Sequence, residues 1–314
     1  MRDLRIVFMG TPDFACTVLQ ELVEKNYTIV GVVTAADKPS GRGRKLNESS
    51  VKKYAKSQNI PVLQPKNLKS DDFIKALTDL KANLQIVVAF RMLPKIVWQL
   101  PEFGTFNLHA SLLPAYRGAA PIHWAIINGE TKTGVTTFFI DDKIDTGEII
   151  LQKEIPINED ETVGSLHDKL MLLGSELVKE TVDLIKTGHI KTTKQPNLEE
   201  KFAPKLFPEN CRIDWHQGLS LIYNKIRGLN PFPAAWTVID NDGEKISTQI
   251  YSVKKEEVHH SYTIGQIITS KKEIKVAVAN GFISIGALKV SGKRKMDAQS
   301  LLNGYLFQPS AKVI

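Results

Sequence analysis

The sequence predicts an α/β fold, with a doubly wound, mostly parallel sheet in the N-terminal part and a smaller C-terminal β-barrel. Two observations predict it. In the first half, runs of consecutive apolar residues alternate with segments of helical periodicity, as expected for parallel strands covered on both faces. In the last third, short β-rich runs are separated by turn signals such as Asn280-Gly281, which is typical of a small antiparallel barrel.

The N-terminal elements alternate in the order that a parallel sheet requires. A helical pattern follows the first strand as far as residue 25, and further helices are predicted at 49–58 and 70–81. In such sheets, ligands bind beyond the carboxyl ends of the strands. The predicted strands are residues 4–9, 28–34, 60–63, 84–90 and 134–140.

The C-terminal part lacks the regular alternation of strands and helices seen in the first half. Three prolines and little periodicity in residues 190–208 predict a linker between a domain at 1–189 and a β-barrel domain at 209–314. One helix is expected at about 216–228. The predicted barrel strands are residues 235–239, 246–253, 263–269, 274–279 and 282–290.

Composition narrows the class of protein. The 314 residues are 42% hydrophobic, enough for one large domain or two of unequal size. The two cysteines, Cys16 and Cys211, lie far apart and predict neither a disulfide framework nor a cysteine-rich metal site. The charged N-terminus does not resemble a signal peptide, and no run of about 18 apolar residues predicts a membrane span. We therefore expect a soluble cytoplasmic protein without a membrane partner. We also expect a monomer.

The net charge of +7 is distributed unevenly. Residues 207–314 contain 14 Lys and Arg against nine Asp and Glu, whereas residues 1–206 contain 27 against 25. A basic C-terminal third allows a polyanionic partner, although basic surfaces also serve solubility alone.

Three polar residues form the strongest candidate for a catalytic site. Asn107 and His109 are two apart on a predicted strand, so their side chains share a face near its carboxyl end. Asp145 follows the strand at 134–140, and a carboxylate there could orient the imidazole. The Asn107 amide could donate a hydrogen bond to an oxyanion. Each residue alone is more often structural, but the ordered set favours catalysis.

The motifs around these residues resemble the formyltransferases that use 10-formyltetrahydrofolate. The resemblance extends over nearly the whole chain, including the C-terminal third. It is strongest to the branch of that family that acts on methionyl-initiator tRNA. The motifs are FMGTPDF at 8–14, DKPSGRGRKL at 37–46, NLHASLLP at 107–114, YRGAAP at 116–121, DTG at 145–147, IDW at 213–215, RGLNPFP at 227–233 and AW at 235–236.

The resemblance implies a reaction and a set of site residues. Asn107, His109 and Asp145 match the family's catalytic triad, 10-formyltetrahydrofolate is the implied co-substrate, and no metal is implied. One departure lies in the loop at 89–94, where Arg91 stands in place of a common small residue. The implied folate-binding residues are Phe90, Arg91, Met92, Leu93, Ser111, Leu112, Leu113, Pro114 and Asp141.

The resemblance also implies that the partner is methionyl-initiator tRNA. Four basic residues lie in the segment 37–46, whose glycines and proline predict a mobile loop, and a second basic group lies near the end of the barrel. Small barrels of the oligonucleotide-binding kind bind nucleic-acid backbones through such faces. The alternative for both groups is an ordinary solvated surface. The implied tRNA-binding residues are Lys38, Arg42, Arg44, Lys45, Lys293, Arg294 and Lys295.

Three other interpretations remain open at this point. A formyltransferase acting on an amino sugar nucleotide or on glycinamide ribonucleotide would keep the triad but would not need the basic segments. A nicotinamide-dependent oxidoreductase should have G-x-G-x-x-G after the first strand, and residues 10–15 lack the second and third glycines. A non-catalytic RNA-binding protein would leave the triad unexplained.

Overall fold

The structure is a computed structural model that describes residues 1–40, 45–196 and 201–314. The chain divides into two compact units. The first unit comprises Met1–Gly118, Thr133–Ile155 and His167–Phe202. The second comprises Ala119–Lys132, Pro156–Leu166 and Ala203–Ile314.

The first unit contains a seven-stranded sheet with the strand order β10-β9-β7-β6-β1-β2-β5. Strands β5, β2, β1, β6 and β7 are parallel to one another, and β9 runs antiparallel to β7. All five residues of β1 are buried, because both faces of the sheet are covered. The predicted α/β fold class is thereby confirmed. The strands are β1 (Ile6–Gly10), β2 (Ile29–Val33), β5 (Val62–Leu63), β6 (Leu84–Val88), β7 (Thr105–His109), β9 (Lys132–Phe139) and β10 (Ile149–Pro156).

The strand order places a switch point between β1 and β6. The chain proceeds outwards from β1 through β2 to β5 and then returns to the other side of β1 with β6 and β7. Open α/β sheets bind ligands in the crevice beyond the carboxyl ends of the strands at such a point. Gly10 ends β1 there, and a Cβ at this position would lie 2.5 Å from the Ala15 Cβ and 2.9 Å from the Val88 carbonyl oxygen. The glycine therefore permits the close approach of β1, β6 and the first helix.

The helices agree with the periodicity where a helix was predicted, within one to three residues at each end. Helix α2 begins where the Ser49 side chain accepts a hydrogen bond from the Lys52 backbone N–H at 3.1 Å. The predictions do not include the 25-residue α6. The helices are α1 (Asp13–Glu24), α2 (Ser50–Ser57), α3 (Asp71–Asp79), α4 (Lys95–Trp98), α5 (Pro121–Ile127), α6 (Val163–Thr187), α7 (Pro208–Cys211), α8 (Leu219–Leu229) and α9 (Ala298–Leu302).

The segment predicted as a mobile loop contains regular structure. Strands β3 (Lys38–Ser40) and β4 (Lys45–Asn47) pair as an antiparallel ribbon, and we call these two strands the ribbon segment. Two further short strands of the chain are β8 (Arg117–Gly118) and β11 (Phe202–Ala203).

The second unit contains the predicted antiparallel β-barrel, with the strand order β14-β15-β16-β13-β12-β18 and β17 paired to β16. The ends of this order meet, because Val313 N–H donates to the Gly265 carbonyl at 2.8 Å and Ile267 N–H donates to the Ala311 carbonyl at 2.9 Å. Near-complete closure removes exposed strand edges. The strands are β12 (Ala235–Asn241), β13 (Glu244–Glu257), β14 (Ile267–Thr269), β15 (Ile274–Val278), β16 (Gly281–Val290), β17 (Met296–Asp297) and β18 (Lys312–Val313).

Alternation of side chains builds the barrel core. Ile274, Val276 and Val278 on β15 and Ile283 and Ile285 on β16 are all buried in one apolar cluster. This period of two explains why the barrel strands could be predicted from local sequence. The strand predicted at 263–269 is shorter than expected, and β13 is longer.

Candidate active site

Strand β7 delivers Asn107 and His109 to the carboxyl-end edge of the sheet. The strand is parallel to β6, with Asn107 opposite Val87. His109 is only 6% exposed, whereas Asn107 is half-buried. The parallel pairing therefore places both residues at the end of β7 that lies beside the loop following β6.

The His109 imidazole lies between a carbonyl group and a carboxylate. Its Nε2 lies 2.8 Å from the Tyr116 carbonyl oxygen, and its Nδ1 lies 3.9 Å from Asp145 Oδ2. A carbonyl oxygen only accepts, so Nε2 carries a hydrogen in this contact. Nδ1 is consequently the nitrogen that faces Asp145.

Asp145 reaches His109 along an unexpected route. Strand β9 is antiparallel to β7, and Ile140 N–H at its end donates to the Thr105 carbonyl at 2.9 Å, at the amino end of β7. The loop after β9 must therefore return along the sheet to bring the carboxylate to His109. There the Gly118 N–H donates to Asp145 Oδ2 at 2.9 Å. The carboxylate thus faces one backbone donor and one imidazole nitrogen.

The side-chain amide of Asn107 has no hydrogen-bond partner among the described residues. It lies on the same face of β7 as His109 and is half-exposed. An unpaired donor beside a buried imidazole suits the stabilisation of an oxyanion at this edge. Chemically, the three residues combine a neutral donor, a proton carrier and an orienting carboxylate.

The predicted folate residues at 111–114 form a firmly held turn. The Ser111 hydroxyl donates to the Ala115 carbonyl at 2.6 Å, and Ser111 is fully buried. Leu113 is also buried, whereas Leu112 and Pro114 are partly exposed. Within this turn, the Leu112 and Pro114 side chains and the backbone groups are therefore the parts that can line a pocket.

The predicted folate residues at 90–93 separate into two sets. Leu93 is buried in an apolar cluster, and Phe90 packs against the same cluster. Met92 is 76% exposed and is not part of the core. The Arg91 guanidinium donates to the Pro65 and Lys66 carbonyls, which gives this departure from the family pattern a local partner.

Asp141 shapes the loop after β9. Its Oδ1 accepts hydrogen bonds from the Lys143 N–H at 3.0 Å and the Thr146 hydroxyl at 2.7 Å. Thr146 directly follows Asp145, so Asp141 supports the segment that carries the third member of the triad.

The chain matches known protein families over most of its length. The family model described as "Formyl transferase" matches residues 4–182, and that described as "Formyl transferase, C-terminal domain" matches residues 205–306. Proteins named methionyl-tRNA formyltransferase are 56% identical over 314 residues in Flavobacterium johnsoniae and 57% identical over 315 residues in Flavobacterium psychrophilum, with 100% of both chains covered. The chain belongs to the methionyl-tRNA formyltransferase family.

Solved structures similar to this member of the methionyl-tRNA formyltransferase family share its fold. A sugar 3N-formyl transferase, WlaRD, aligns with a TM-score of 0.66 at 21% identity and covers 94% of this chain and 100% of its own. The N-formyltransferase of Helicobacter canadensis aligns with a TM-score of 0.66 at 20% identity and covers 93% and 100%. Both are too distant in sequence to indicate more than the fold.

The basic residues predicted to bind tRNA lie in two places. Lys38 and Lys45 belong to the ribbon strands β3 and β4, and Arg42 and Arg44 lie outside the described residues. In the second unit, the exposed residues Lys293, Arg294 and Lys295 lie between β16 and β17. We call these three residues the barrel patch.

Lys52 anchors both ends of the ribbon segment. Its ammonium lies 2.5 Å from Asp37 Oδ2, just before β3, and 3.0 Å from Glu48 Oε1, just after β4. The hydrogen bond from Lys52 lowers the pKa of Asp37, and hydrogen bonds from Lys56 and then Lys52 lower the pKa of Glu48. The hydrogen bonds to Asp37 and Glu48 raise the pKa of Lys52. Lys52 therefore sets the spacing of the two ends.

Replacing Lys52 with methionine is expected to destabilise the ribbon segment in a pH-dependent manner. The carboxylates have lowered pKa values and the ammonium a raised one, so the ion pairs stabilise the fold between about pH 4 and about pH 10. The difference in melting temperature between wild type and Lys52→Met should shrink as the pH falls below about 4 and the carboxylates become protonated. Lys53→Met, an exposed neighbour on α2, should change little. A difference that persists undiminished at pH 3 would contradict this account.

Sequence reasoning missed the residues that support the turn at 111–114. The Thr136 hydroxyl donates to the Ser111 carbonyl at 2.6 Å and accepts from the Leu113 N–H at 3.2 Å. Gln152 donates to the Leu113 carbonyl and to Thr136 Oγ1, both at 2.9 Å. The available signal was a polar residue within the apolar strand β9, because a buried hydroxyl needs partners.

The two cysteines are not members of the triad. Cys16 and Cys211 are free thiols, and burial raises the pKa of each. Across residues 1–40, 45–196 and 201–314, no group of three or more His, Cys, Asp or Glu side chains is arranged to hold a metal ion.

Proposed function

We propose that the protein transfers the formyl group of 10-formyltetrahydrofolate to the α-amine of methionyl-initiator tRNA, which yields N-formylmethionyl-tRNA for translation initiation. The observation that carries the proposal is the meeting of Asn107, His109 and Asp145 at one edge of the sheet, in a chain of the methionyl-tRNA formyltransferase family. The ribbon segment and the barrel patch provide basic groups for the tRNA.

The reaction requires an oxyanion to be stabilised and a proton to be moved. The neutral amine bonds to the formyl carbon and loses one proton, and the bond from that carbon to N10 breaks as N10 gains one proton. Negative charge develops on the formyl oxygen in the tetrahedral intermediate. We assign the Asn107 amide and His109 to that oxygen, because donors held in place before the reaction stabilise it most.

His109 and Asp145 handle the proton in this proposal. An imidazole placed next to the leaving nitrogen of the folate can deliver a proton to N10 as the C–N bond breaks. Asp145 Oδ2 lies 3.9 Å from Nδ1 and orients the ring. The carboxylate also helps to accept the proton that the amine loses.

The folate pocket proposed here uses the loops next to this edge. The partly exposed Phe90 provides an apolar wall that packs against the cluster containing Leu93, and the exposed Met92 is available to cover a ring. The Leu112 and Pro114 side chains are also partly exposed. An apolar cleft with backbone donors and acceptors suits an aromatic heterocycle such as the pterin. Asp141 supports the pocket through its loop.

The barrel patch is proposed to bind the tRNA backbone. Lys293, Arg294 and Lys295 are exposed, and the Lys295 ammonium lies 4.2 Å from the centre of the Tyr251 ring. A cation over an aromatic face beside free positive charges resembles the surfaces that bind single strands and phosphates.

Replacing all three residues of the barrel patch with glutamine is expected to raise the KM for tRNA and to leave the KM for the folate unchanged. The slope of log affinity against log salt should become less steep by about one unit for each phosphate that the patch no longer binds. The measurement is tRNA binding between low and high salt. The matched control is the double variant Lys271→Gln/Lys272→Gln, which changes two other exposed lysines of the second unit. An unchanged salt slope would remove the patch from the tRNA interface.

The location and assembly of the protein are also proposed. The described part of the chain includes no helix that is long and apolar enough to cross a membrane. We propose that the protein is cytoplasmic, where its tRNA substrate is made, and that it is a monomer of 35.1 kDa. Light scattering on the purified protein tests the mass.

The test of the function is single-turnover formylation with labelled 10-formyltetrahydrofolate. We expect the wild type to formylate methionyl-initiator tRNA and to react much more slowly with methionyl-elongator tRNA. Formylation of both tRNAs at equal rates would overturn the initiator preference. Transfer only to a small amine such as an amino sugar nucleotide would show that the acceptor is wrong while the family is right.

A further inference from the structure

Gln195 lies against the triad although it is 50 residues from Asp145 in the sequence. It belongs to the interval 190–208 that was predicted to be a linker. Just before it, Thr193 and Ile149 exchange two backbone hydrogen bonds of 2.8 and 2.9 Å, which attach this segment to the edge strand β10. The attachment directs Gln195 towards the loop that carries Asp145.

The Gln195 side-chain amide makes four hydrogen bonds. Its Nε2 donates to the Asp145 carbonyl at 2.9 Å and to the Gly147 carbonyl at 2.8 Å. Its Oε1 accepts from the Arg117 Nε at 3.1 Å and from an Arg117 terminal nitrogen at 2.6 Å. A primary amide has two donors and two acceptor sites, so this side chain is fully used.

These contacts join the two segments that must meet around the carboxylate. Arg117 precedes Gly118, whose N–H donates to Asp145 Oδ2 at 2.9 Å. Gln195 therefore binds the backbone of Asp145 through its Nε2 and the Arg117 side chain through its Oε1. Arg117 is the residue before Gly118, which donates to the Asp145 carboxylate. A change in Gln195 would alter the distance between the Asp145 carboxylate and both Gly118 and His109.

The backbone of Asp145 needs such support. Its φ is +54°, in the left-handed region that residues with a side chain rarely adopt. Gly147 packs so closely on the Phe139 carbonyl that a side chain would not fit. The loop is thus confined by β9 on one side, and the Gln195 amide supplies the opposing hydrogen bonds.

We infer that Gln195 is a positioning residue for the reaction, which holds the Asp145 carboxylate in the place where it can act on His109. This inference rests on the proposed function. Because Gln195 acts on the Asp145 backbone and Arg117, it should affect turnover far more than the binding of either substrate. Its contribution should also depend on the charge of Asp145.

The experiment compares full-length wild type, Gln195→Met, Gln195→Glu, Asp145→Asn and the double variant Gln195→Met/Asp145→Asn in the formylation assay. Methionine keeps the length of the side chain but neither donates nor accepts as the amide does. Glutamate keeps an acceptor for Arg117 and loses both donors to the loop. Gln58→Met, at an exposed position of the same unit, is the control.

We expect Gln195→Met and Gln195→Glu to lower kcat by at least about tenfold, with each KM within about twofold of wild type. In the Asp145→Asn background, Gln195→Met should cause less than about a twofold further loss, because both changes act through one carboxylate. If Gln195→Met does not fold, Gln195→Glu decides alone.

Three results would distinguish failure of the proposed function from failure of the inference about Gln195. Wild type that does not formylate methionyl-tRNA refutes the proposed function. An active wild type with a fully active Gln195→Glu refutes the inference, since donation to the loop is then unnecessary. Losses that multiply independently in the double variant also refute it, because they indicate general structural damage rather than action through Asp145.

Discussion

Alanine at position 109 is expected to lower kcat for formyl transfer by about 10³-fold. The imidazole is 6% exposed and lies 3.9 Å from Asp145, and alanine has no group that can carry a proton in its place. The KM for 10-formyltetrahydrofolate should change little, because the folate contacts are proposed to lie in the loops at 90–93 and 111–114. Single-turnover formylation of methionyl-initiator tRNA measures the loss.

The controls separate chemistry from folding. His189→Ala, at an exposed position of the first unit, should retain full activity. The circular dichroism spectrum and melting temperature of His109→Ala should stay near those of wild type. Asn107→Ala should lose about 10²-fold, as expected for one oxyanion donor. If His109→Ala kept a tenth or more of the wild-type rate, the imidazole would not be the proton carrier.

Alanine at position 147 is expected to destabilise the protein by about 3 kcal/mol and to lower activity as well. Gly147 is buried, and a Cβ there would overlap the Phe139 carbonyl oxygen and lie 2.8 Å from the Phe139 carbonyl carbon. The overlap is with backbone, so it cannot be relieved by a change of rotamer. The hydrogen bond of 3.0 Å from Phe139 N–H to the Glu148 carbonyl would be strained. Because Asp145 lies two residues away, the displaced loop would also move the carboxylate from His109.

Chemical denaturation and kcat, measured on the same preparation, test this expectation. Gly304→Ala is the control, because, apart from its chain neighbours, no described residue has an atom within 4 Å of the added Cβ, and its φ is not in the left-handed region. A variant at position 147 with wild-type stability would mean that the loop after β9 adapts to the side chain. A stable but inactive variant would mean that the loop moved without unfolding and would still place Asp145 in the reaction.

The parallel core of the first unit could be predicted because its strands are continuous apolar runs. The predicted strands at 4–9, 28–34 and 84–90 correspond to β1, β2 and β6, since strands buried on both faces leave a signal within each segment. Helix α6 and the ribbon of β3 and β4 were absent from the predictions. Lys52 of helix α2 forms ion pairs with Asp37 and Glu48, the residues that flank the ribbon. Such ion pairs leave no periodic pattern in the sequence of the ribbon itself.

The site residues also divide into those whose placement follows from local sequence and one whose placement does not. Asn107 and His109 share a face because two residues on a strand are separated by one period, and this requires no knowledge of the rest of the fold. Their assignment to the reaction stays a prediction until the variants are measured. The position of Asp145 was predicted only as a neighbouring loop. Its actual path from the amino end of β7 back to His109 follows from the antiparallel direction of β9, which local sequence does not state.

By itself, the sequence determined the fold class, the order of the strands in the chain and the chemistry available at residues 107, 109 and 145, because these depend on local periodicity and residue type. Only the tertiary structure decided the strand order in the sheet, the closure of the barrel and the contacts that surround Asp145. Those features depend on hydrogen bonds between segments far apart in the chain, such as the four made by Gln195. A side chain in a proline-containing segment without periodicity carries no local sign of its partners, and its role becomes visible only when the chain has folded around it.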